Sequence, residues 1–323
     1  MEREQTTISV VIPCYKAEHC IEACLDSLIA DNYPGAEYVL VNDRSPDGTA
    51  DVIRRYIEAH PGANIKYIEN EVNLGAGETR NVGIRCAGGE YITFVDADDI
   101  VEKDFLSDIN RAIVEHHCDC VVFDAAIKTS DKTTDMVMFY GGGFAGNENL
   151  PPRAALVYLK GCTCGKAYRA SILRNNDVRF APLKRNEDLV FTKTAISFCS
   201  SVYYIRKILY YYNQNENSLM HDDSLLDKNN AIRAYEMIRS RFEGRGFDEE
   251  LNSIYAIEIL YSTTMTCLRQ NDDARGNYKA AVSKYRFKDK YYRGYAKKYR
   301  IILTLFKLGM FRVVAEMLAR QKK

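Results

Sequence analysis

The sequence predicts an α/β fold: an open, mainly parallel sheet with flanking helices, followed by a helical C-terminal region. Three observations predict it. Short apolar runs of strand length alternate three times with helix-period segments in the first part of the chain, the pattern of crossover-connected parallel strands. Several of those runs are apolar almost throughout, as strands covered on both faces are. Their carboxyl ends carry polar residues, and in open α/β sheets ligands bind outside those ends.

The first strand is Ile8-Ser9-Val10-Val11-Ile12-Pro13, ended by Pro13 and followed by a loop through Tyr15 and Glu18. Ile21, Cys24, Leu25, Leu28 and Ile29 then recur at helical spacing. A second strand over residues 38–41 stops at Asn42-Asp43, and Asp47-Gly48-Thr49 opens a helix with Val52, Ile53, Tyr56 and Ile57 on its apolar face. The third strand, 65–68, leads through Asn73-Leu74-Gly75-Ala76-Gly77 into a helix containing Arg80, Asn81 and Gly83. Tyr91-Ile92-Thr93-Phe94-Val95 is the fourth strand, and it stops at Asp96-Ala97-Asp98-Asp99. Carboxylates so crowded either cap the following helix in solvent or hold a divalent cation such as Mg²⁺ or Mn²⁺. Polar ends on successive strands converge on one crevice.

Beyond this point the pattern predicts a helix over 102–117, a strand over 120–127, a short helix over 153–160, and loops at 140–144 and 161–165. Glu187-Asp188 begin a helix reaching about Phe198, where two acids either satisfy the helix dipole or serve chemistry. A Tyr-rich strand over 202–212 leads to a polar loop holding a lone His221. From Leu225 onward the chain reads as helices, giving an expected division into 1–222 and 223–323. The last stretch, from 297, reads as two short amphipathic helices joined near Gly309.

The chain of 323 residues is 46 % hydrophobic and 27 % charged, with Lys+Arg and Asp+Glu both at 44. Zero net charge implies no nucleic-acid partner. From Lys284 onward, however, thirteen Lys or Arg face two acids. A basic amphipathic tail either meets a membrane surface or packs on the helices before it. No apolar run reaches the ~18 residues of a spanning helix. Ten cysteines without a secretory signal suggest reduced thiols and a cytoplasmic setting. Cys118/Cys120 and Cys162/Cys164 are C-x-C pairs without zinc spacing. Arg80 stands where a G-x-G-x-x-G fingerprint needs Gly, and no P-loop occurs. An Arg there pairs instead with a phosphate or a carboxylate.

Five segments together resemble the family 2 glycosyltransferases of the GT-A fold, especially bacterial enzymes of surface-polysaccharide synthesis. They are Ser9 through Glu18, Val39 through Thr49, Asn73-Leu74-Gly75 with Arg80-Asn81-Val82-Gly83, Phe94 through Asp99, and Glu187 through Phe191. The resemblance implies inverting transfer from a nucleotide-diphosphate sugar, usually a UDP-sugar, to a hydroxyl of a lipid-linked or polysaccharide acceptor. It implies that Pro13, Tyr15 and Glu18 line the nucleotide pocket and Asp43 binds the base. Arg80 is expected near the nucleotide and phosphates, Asp96 at the ribose, and Asp98 on a Mn²⁺ or Mg²⁺ ion. Asp188 is the implied general base, and His221 matches a diphosphate or metal contact of some relatives. Asn42-Asp43-Arg44-Ser45 departs from the commoner Asp-Asp-Gly-Ser, and Thr79 replaces a common Ala.

Expected partners are the donor, the acceptor and the inner face of the plasma membrane through the tail, with a homodimer left open. Two rivals remain: a sugar-1-phosphate nucleotidyltransferase, which needs a Gly-rich basic loop where this chain has Pro13-Cys14-Tyr15, and a non-catalytic nucleotide-sugar-binding protein.

Overall fold

The computed structural model describes residues 5–213, 228–270, 272–285 and 293–321. In chain order the elements are β1 (Ile8–Cys14), α1 (Ile21–Ile29), β2 (Ala36–Asn42), α2 (Thr49–Ala59), β3 (Ile65–Glu69), α3 (Ala76–Cys86) and β4 (Tyr91–Phe94). There follow β5 (Ile100–Val101), α4 (Phe105–His116), β6 (Cys120–Lys128), β7 (Thr133–Met136), β8 (Glu148–Leu150), α5 (Pro152–Tyr158), β9 (Lys166–Arg169), α6 (Ala170–Asn175), α7 (Glu187–Ile196) and β10 (Val202–Asn213). The remainder is helical: α8 (Lys228–Phe242), α9 (Asp248–Ile254), a π-helical stretch (Tyr255–Tyr261), α10 (Ser262–Arg269), α11 (Ala274–Tyr285), α12 (Lys297–Lys307) and α13 (Phe311–Gln321).

One sheet runs in the order β3-β2-β1-β4-β9-β6-β10-β5, with β7 on β6 and β8 on β10. Its first half, β3-β2-β1-β4, is parallel throughout, as the alternation of strand and helix predicts. The second half is mixed, because β9 inserts antiparallel between β4 and β6. Lys166-Ala167-Tyr168-Arg169 is too short to announce itself by period. Its only local signal is Gly165, whose φ of +80° turns the loop.

β1 sits centrally, with Ile8, Val10, Val11 and Ile12 fully buried. α3 lies so close to it that a Cβ on Gly83 would come within 2.2 Å of Val11 Cγ1, so only glycine brings this helix down onto the sheet. Beneath the carboxyl end of β4, Phe94, Phe180 and Phe191 form one aromatic cluster. Phe180 stacks on Phe191 at 4.0 Å, and Phe94 meets each ring edge-on at 5.4 Å. That cluster ties α7 to the strand bearing the acidic run. α7 is buried from Leu189 to Ile196, which explains its lack of an amphipathic pattern.

The helical region is anchored to this body. Arg153 pairs with Glu250 at 2.8 Å, and Arg245 lies over Phe198 at 3.9 Å while donating to Ser197 O at 2.8 Å. α12 and α13 break at Gly309, whose φ is +74°. Tyr295, Tyr299, Leu303, Phe306 and Val314 are buried, whereas Ile301, Leu308, Met310, Val313 and Met317 are exposed. The tail therefore packs one face on the preceding helices and keeps a second apolar set outside. No helix among the described residues is long and apolar enough to cross a membrane.

Candidate active site

The polar residues that follow β2, β1 and β4 lie at the same edge of the parallel half of the sheet. Tyr15 follows β1 and is 48 % exposed. Glu18 is turned to a structural duty: its carboxylate accepts the Gly48 N–H at 2.7 Å, at the start of α2. Asn42, buried at the end of β2, accepts the Ser45 N–H at 3.2 Å and hydroxyl at 2.6 Å and donates to Tyr67 Oη at 3.1 Å. An Asp could accept the same two turn bonds; what the Asn adds is the donation to Tyr67.

Asp43 is only 3 % exposed. Its Oδ1 accepts from Asn70 Nδ2 at 2.9 Å and Leu74 N at 2.8 Å, and its Oδ2 from Gly75 N at 2.8 Å. Asp43 thereby pins the loop that opens α3, and Gly75 supplies the φ of +81° required there. A carboxylate offers about four lone-pair sites. Three are used, and one on Oδ2 remains for a ligand.

Arg80 is the electrostatic centre. Only 7 % exposed, it donates from Nη2 to Asp96 Oδ1 at 2.6 Å, places Nη1 3.8 Å from Glu187 Oε1, and lies 5.5 Å from the Phe180 ring. Among the described residues its Nε is buried without a hydrogen-bond partner. One guanidinium thus joins the end of β4 to the start of α7.

Asp98 points outward. The protein packed around it, and next the charge of Asp96, raise its pKa. Its own backbone N–H is the one donor that reaches its carboxylate among the described residues. A carboxylate so little satisfied, beside a second one, suits a hard divalent cation that completes its shell with water and substrate oxygens. Among the described residues no group of three His, Cys, Asp or Glu is placed to hold a metal ion.

Asp99 is the acid of the run that turns fully inward. Fully buried, it accepts the Tyr210 hydroxyl and the Asn213 N–H, the latter at 2.8 Å, while Asn213 Nδ2 donates to Asp98 O at 2.8 Å. Burial, and then Asp96, push it up to about 8. The signal was the acidic run itself, but the phenol that distinguishes Asp99 from its neighbours lies 111 residues away.

Glu187 and Asp188 begin α7. Asp188 accepts the Leu189 N–H at 2.7 Å. Burial, then the charge of Glu187, push it up to about 8, against a lowering from Arg80. A folded-state carboxyl above its unfolded value stabilises the fold below the unfolded pKa, and that contribution is lost as pH rises through the folded one. Asp188→Asn does not titrate, so its melting temperature should gain on the wild type between about pH 4 and pH 8. Thermal melts across that window check this, and a constant gap would mean Asp188 titrates normally.

Two clefts flank the site. The larger, ≈ 870 Å³, runs past Leu74, Gly75, Phe180, Glu187 and Met237, while Asp98 opens on a smaller one of ≈ 310 Å³ with His19, Lys128 and Asn213. Pro13 stands half-buried in β1 beside Cys14. His221 lies outside the described residues.

The model of the family described as glycosyl transferase family 2 matches residues 9–174. Poly(ribitol-phosphate) β-N-acetylglucosaminyltransferase TarS of Staphylococcus aureus is 31 % identical over 212 residues, covering 63 % of this chain and 35 % of that protein. Glycosyltransferase GlyA of Streptococcus pneumoniae is 29 % identical, with 66 % and 31 % covered. The putative glycosyltransferase EpsH of Bacillus subtilis is 30 % identical, with 67 % and 63 % covered. This chain therefore spans about a third of TarS and of GlyA. The crystal structure of S. aureus TarS 1–349 with UDP-GlcNAc aligns at TM-score 0.72 and 23 % identity, covering 98 % of this chain and 92 % of that one. Mannosyltransferase PcManGT of Pyrobaculum calidifontis, with GDP-Man and Mn²⁺, aligns at 0.60 and 16 %, covering 97 % and 87 %. These structural likenesses establish the fold.

Proposed function

Because this chain belongs to glycosyl transferase family 2, we propose that its crevice transfers a sugar, with inversion, from a UDP-sugar to a hydroxyl of a polysaccharide or lipid-linked acceptor. The observation that carries this reading is the Arg80 bridge, which sets Asp96 and the open Asp98 on one side and Glu187 and Asp188 on the other. The remaining lone pair of Asp43 suits an imide N–H such as that of uracil. Tyr15 offers an exposed ring for the base to lie against, beside Pro13, and Asp96 keeps one oxygen for a ribose hydroxyl.

In the reaction the acceptor oxygen attacks the anomeric carbon as the bond to the diphosphate breaks. Asp188, ionised, takes the hydroxyl proton from the opposite face, the geometry of a single inverting displacement. Its elevated pKa places it near the operating pH, where a base is most effective. Asp98 would hold a divalent cation, Mn²⁺ or Mg²⁺, that neutralises charge on the departing diphosphate. The larger cleft reaches Glu187, next to Asp188, and is proposed as the path of the acceptor.

Asp98→Ala should keep its fold and lose Mn²⁺-dependent stabilisation by the preferred donor, since a solvent-facing carboxylate is removed and no core is touched. Thermal melts with a panel of nucleotide-sugars, with and without Mn²⁺, read this. Undiminished stabilisation would place the cation elsewhere.

The exposed Ile301, Leu308, Met310, Val313 and Met317, set among basic residues, are proposed to rest on an anionic membrane surface at the cytoplasmic face. Each basic residue near such a surface contributes about 1 kcal/mol, and salt screens it. Truncating the tail would remove the buried Tyr295, Tyr299, Leu303 and Phe306, so the test uses Leu308→Glu with Met310→Glu. The wild type should sediment with anionic vesicles at low salt and the variant should not. Equal sedimentation would remove the membrane assignment.

A further inference from the structure

Behind Asp188 lies a cluster that the proposed reaction does not use. The loop 161–165 carries Cys162 and Cys164, both half-buried, and wraps the fully buried Lys166. The Lys166 ammonium reaches Cys162 O at 2.7 Å, Cys164 O at 3.1 Å and Cys162 Sγ at 3.5 Å. Among the described residues no carboxylate pairs with it. A buried ammonium without an acid is costly unless another anion compensates it, and the nearest candidate is the Cys162 sulfur.

The surroundings favour that anion. Lys160 and Lys166 face Cys162 from its own loop, Lys193 and Asp188 from α7, Glu258 from the π-helical stretch, and the phenols of Tyr140 and Tyr168 from beside it. Three lysines therefore stand against two carboxyls; burial raises both carboxyls and likewise lowers Lys160 and Lys193, the latter to about 8 with Glu258 3.9 Å away, while Lys166 stands 3.5 Å from the sulfur. Cys162 Sγ lies 3.7 Å from Cys164 O; its interaction with Cys164 and then with the two lysines flanking the loop, against the upward push of burial, brings it down to about 5. Cys20, by contrast, is pushed up to about 11 by burial and the acids around it.

The loop is also joined to the base. A Cβ on Gly161 would lie 2.7 Å from Leu189 Cα, the residue after Asp188, and the Thr192 hydroxyl donates to Cys162 O at 3.4 Å.

We propose that Cys162 and Cys164 form a thiol–disulfide exchange site behind the Asp188 helix, through which a small disulfide such as oxidised glutathione switches transfer off. The Cys162 sulfur attacks one sulfur of the small disulfide, forming a mixed disulfide and releasing one small thiolate. The Cys164 sulfur then attacks Cys162, expelling the second. Two protein thiols are oxidised to one disulfide, the reagent is reduced to two thiols, and the thiol protons pass to the released thiolates. A closed C-x-C ring is strained and correspondingly easy to reduce. It withdraws the sulfur that faces Lys166 and shifts the loop against Leu189. Only the activity being switched rests on the glycosyltransferase reading.

The test uses the reduced full chain. Brief alkylation with iodoacetamide at about pH 6, followed by peptide mapping, should label Cys162 at least roughly tenfold faster than Cys20 or Cys86, because the thiolate is the reacting species. Oxidised glutathione should remove two hydrogens from the peptide holding both cysteines, and Cys164→Ser should stop at the mixed disulfide. Nucleoside diphosphate release from the stabilising donor should fall roughly tenfold on oxidation, the scale of a slightly displaced catalytic group, and return with a reductant, while Cys162→Ser resists the oxidant. Labelling of Cys162 no faster than Cys86, or absence of both disulfides, overturns the exchange site. Exchange without loss of transfer overturns the switch. If no donor is used at all, the labelling and mass readouts still decide the exchange site, so that failure belongs to the transfer reading.

Discussion

Asp188→Asn loses transfer by about 10²-fold or more, the scale of a lost general base, and binds donor as the wild type does. The amide has nearly the shape of the carboxyl and still accepts the Leu189 N–H, but it cannot take the acceptor's proton. In the wild type, transfer should rise with pH until Asp188 is ionised, near 8, and then level. The residual rate of Asp188→Asn should lack that limb. Steady-state rates across pH, with donor affinity from thermal melts, separate the outcomes. Near-normal turnover in Asp188→Asn would transfer the role to Glu187, the adjacent acid that also faces Arg80.

Arg80→Met destabilises the protein by about 3–5 kcal/mol, the range for removing one partner of a buried ion pair. The loss is large because Asp96, Glu187 and Asp188 all draw on this one guanidinium, and the apolar replacement leaves them facing one another. The pH limb of the transfer rate should also move upward, since the Arg80 charge, after the Leu189 N–H, lowers Asp188. Arg80→Lys should recover part of the stability, because it restores the charge without the planar fork that spans Asp96 and Glu187. Denaturant melts measure the first effect and the rate profile the second. A variant as stable as the wild type would mean the acids are compensated elsewhere.

The parallel half of the sheet was legible because its determinants are local. Val10-Val11-Ile12 and Val39-Leu40-Val41 are apolar without break, and each is followed by a helix-period segment. The mixed half was not, because β7, β8 and β9 are only three or four residues long and owe their existence to neighbours rather than to period. In the site, Asp43, Asp96, Asp98 and Asp188 can be picked out as acids at strand or helix ends, and Arg80 as a cation within α3. What they contact cannot. The sequence allows Arg80 a phosphate or a carboxylate as partner, and within the chain it meets two carboxylates, Asp96 and Glu187. That the Glu18 carboxylate holds the Gly48 N–H at 2.7 Å is likewise a contact across 30 residues that the sequence does not display. Asp99 owes its character to Tyr210 and Asn213 on β10, contacts that only the folded chain brings about. The sequence of the tail fits both a membrane surface and the core, and its two helices divide their apolar residues between an inner and an outer face.

The most direct test is donor binding measured as thermal stabilisation across UDP-, GDP- and dTDP-sugars, with Mn²⁺ and with a chelator in its place. A ligand at about a hundred times its Kd stabilises the folded state by about 2.7 kcal/mol, enough to move the melting temperature visibly. The account predicts that one or more UDP-sugars raise it with Mn²⁺, that the chelator abolishes most of the rise, and that Asp98→Ala does the same. No stabilisation by any nucleotide-sugar in the presence of Mn²⁺ would contradict it.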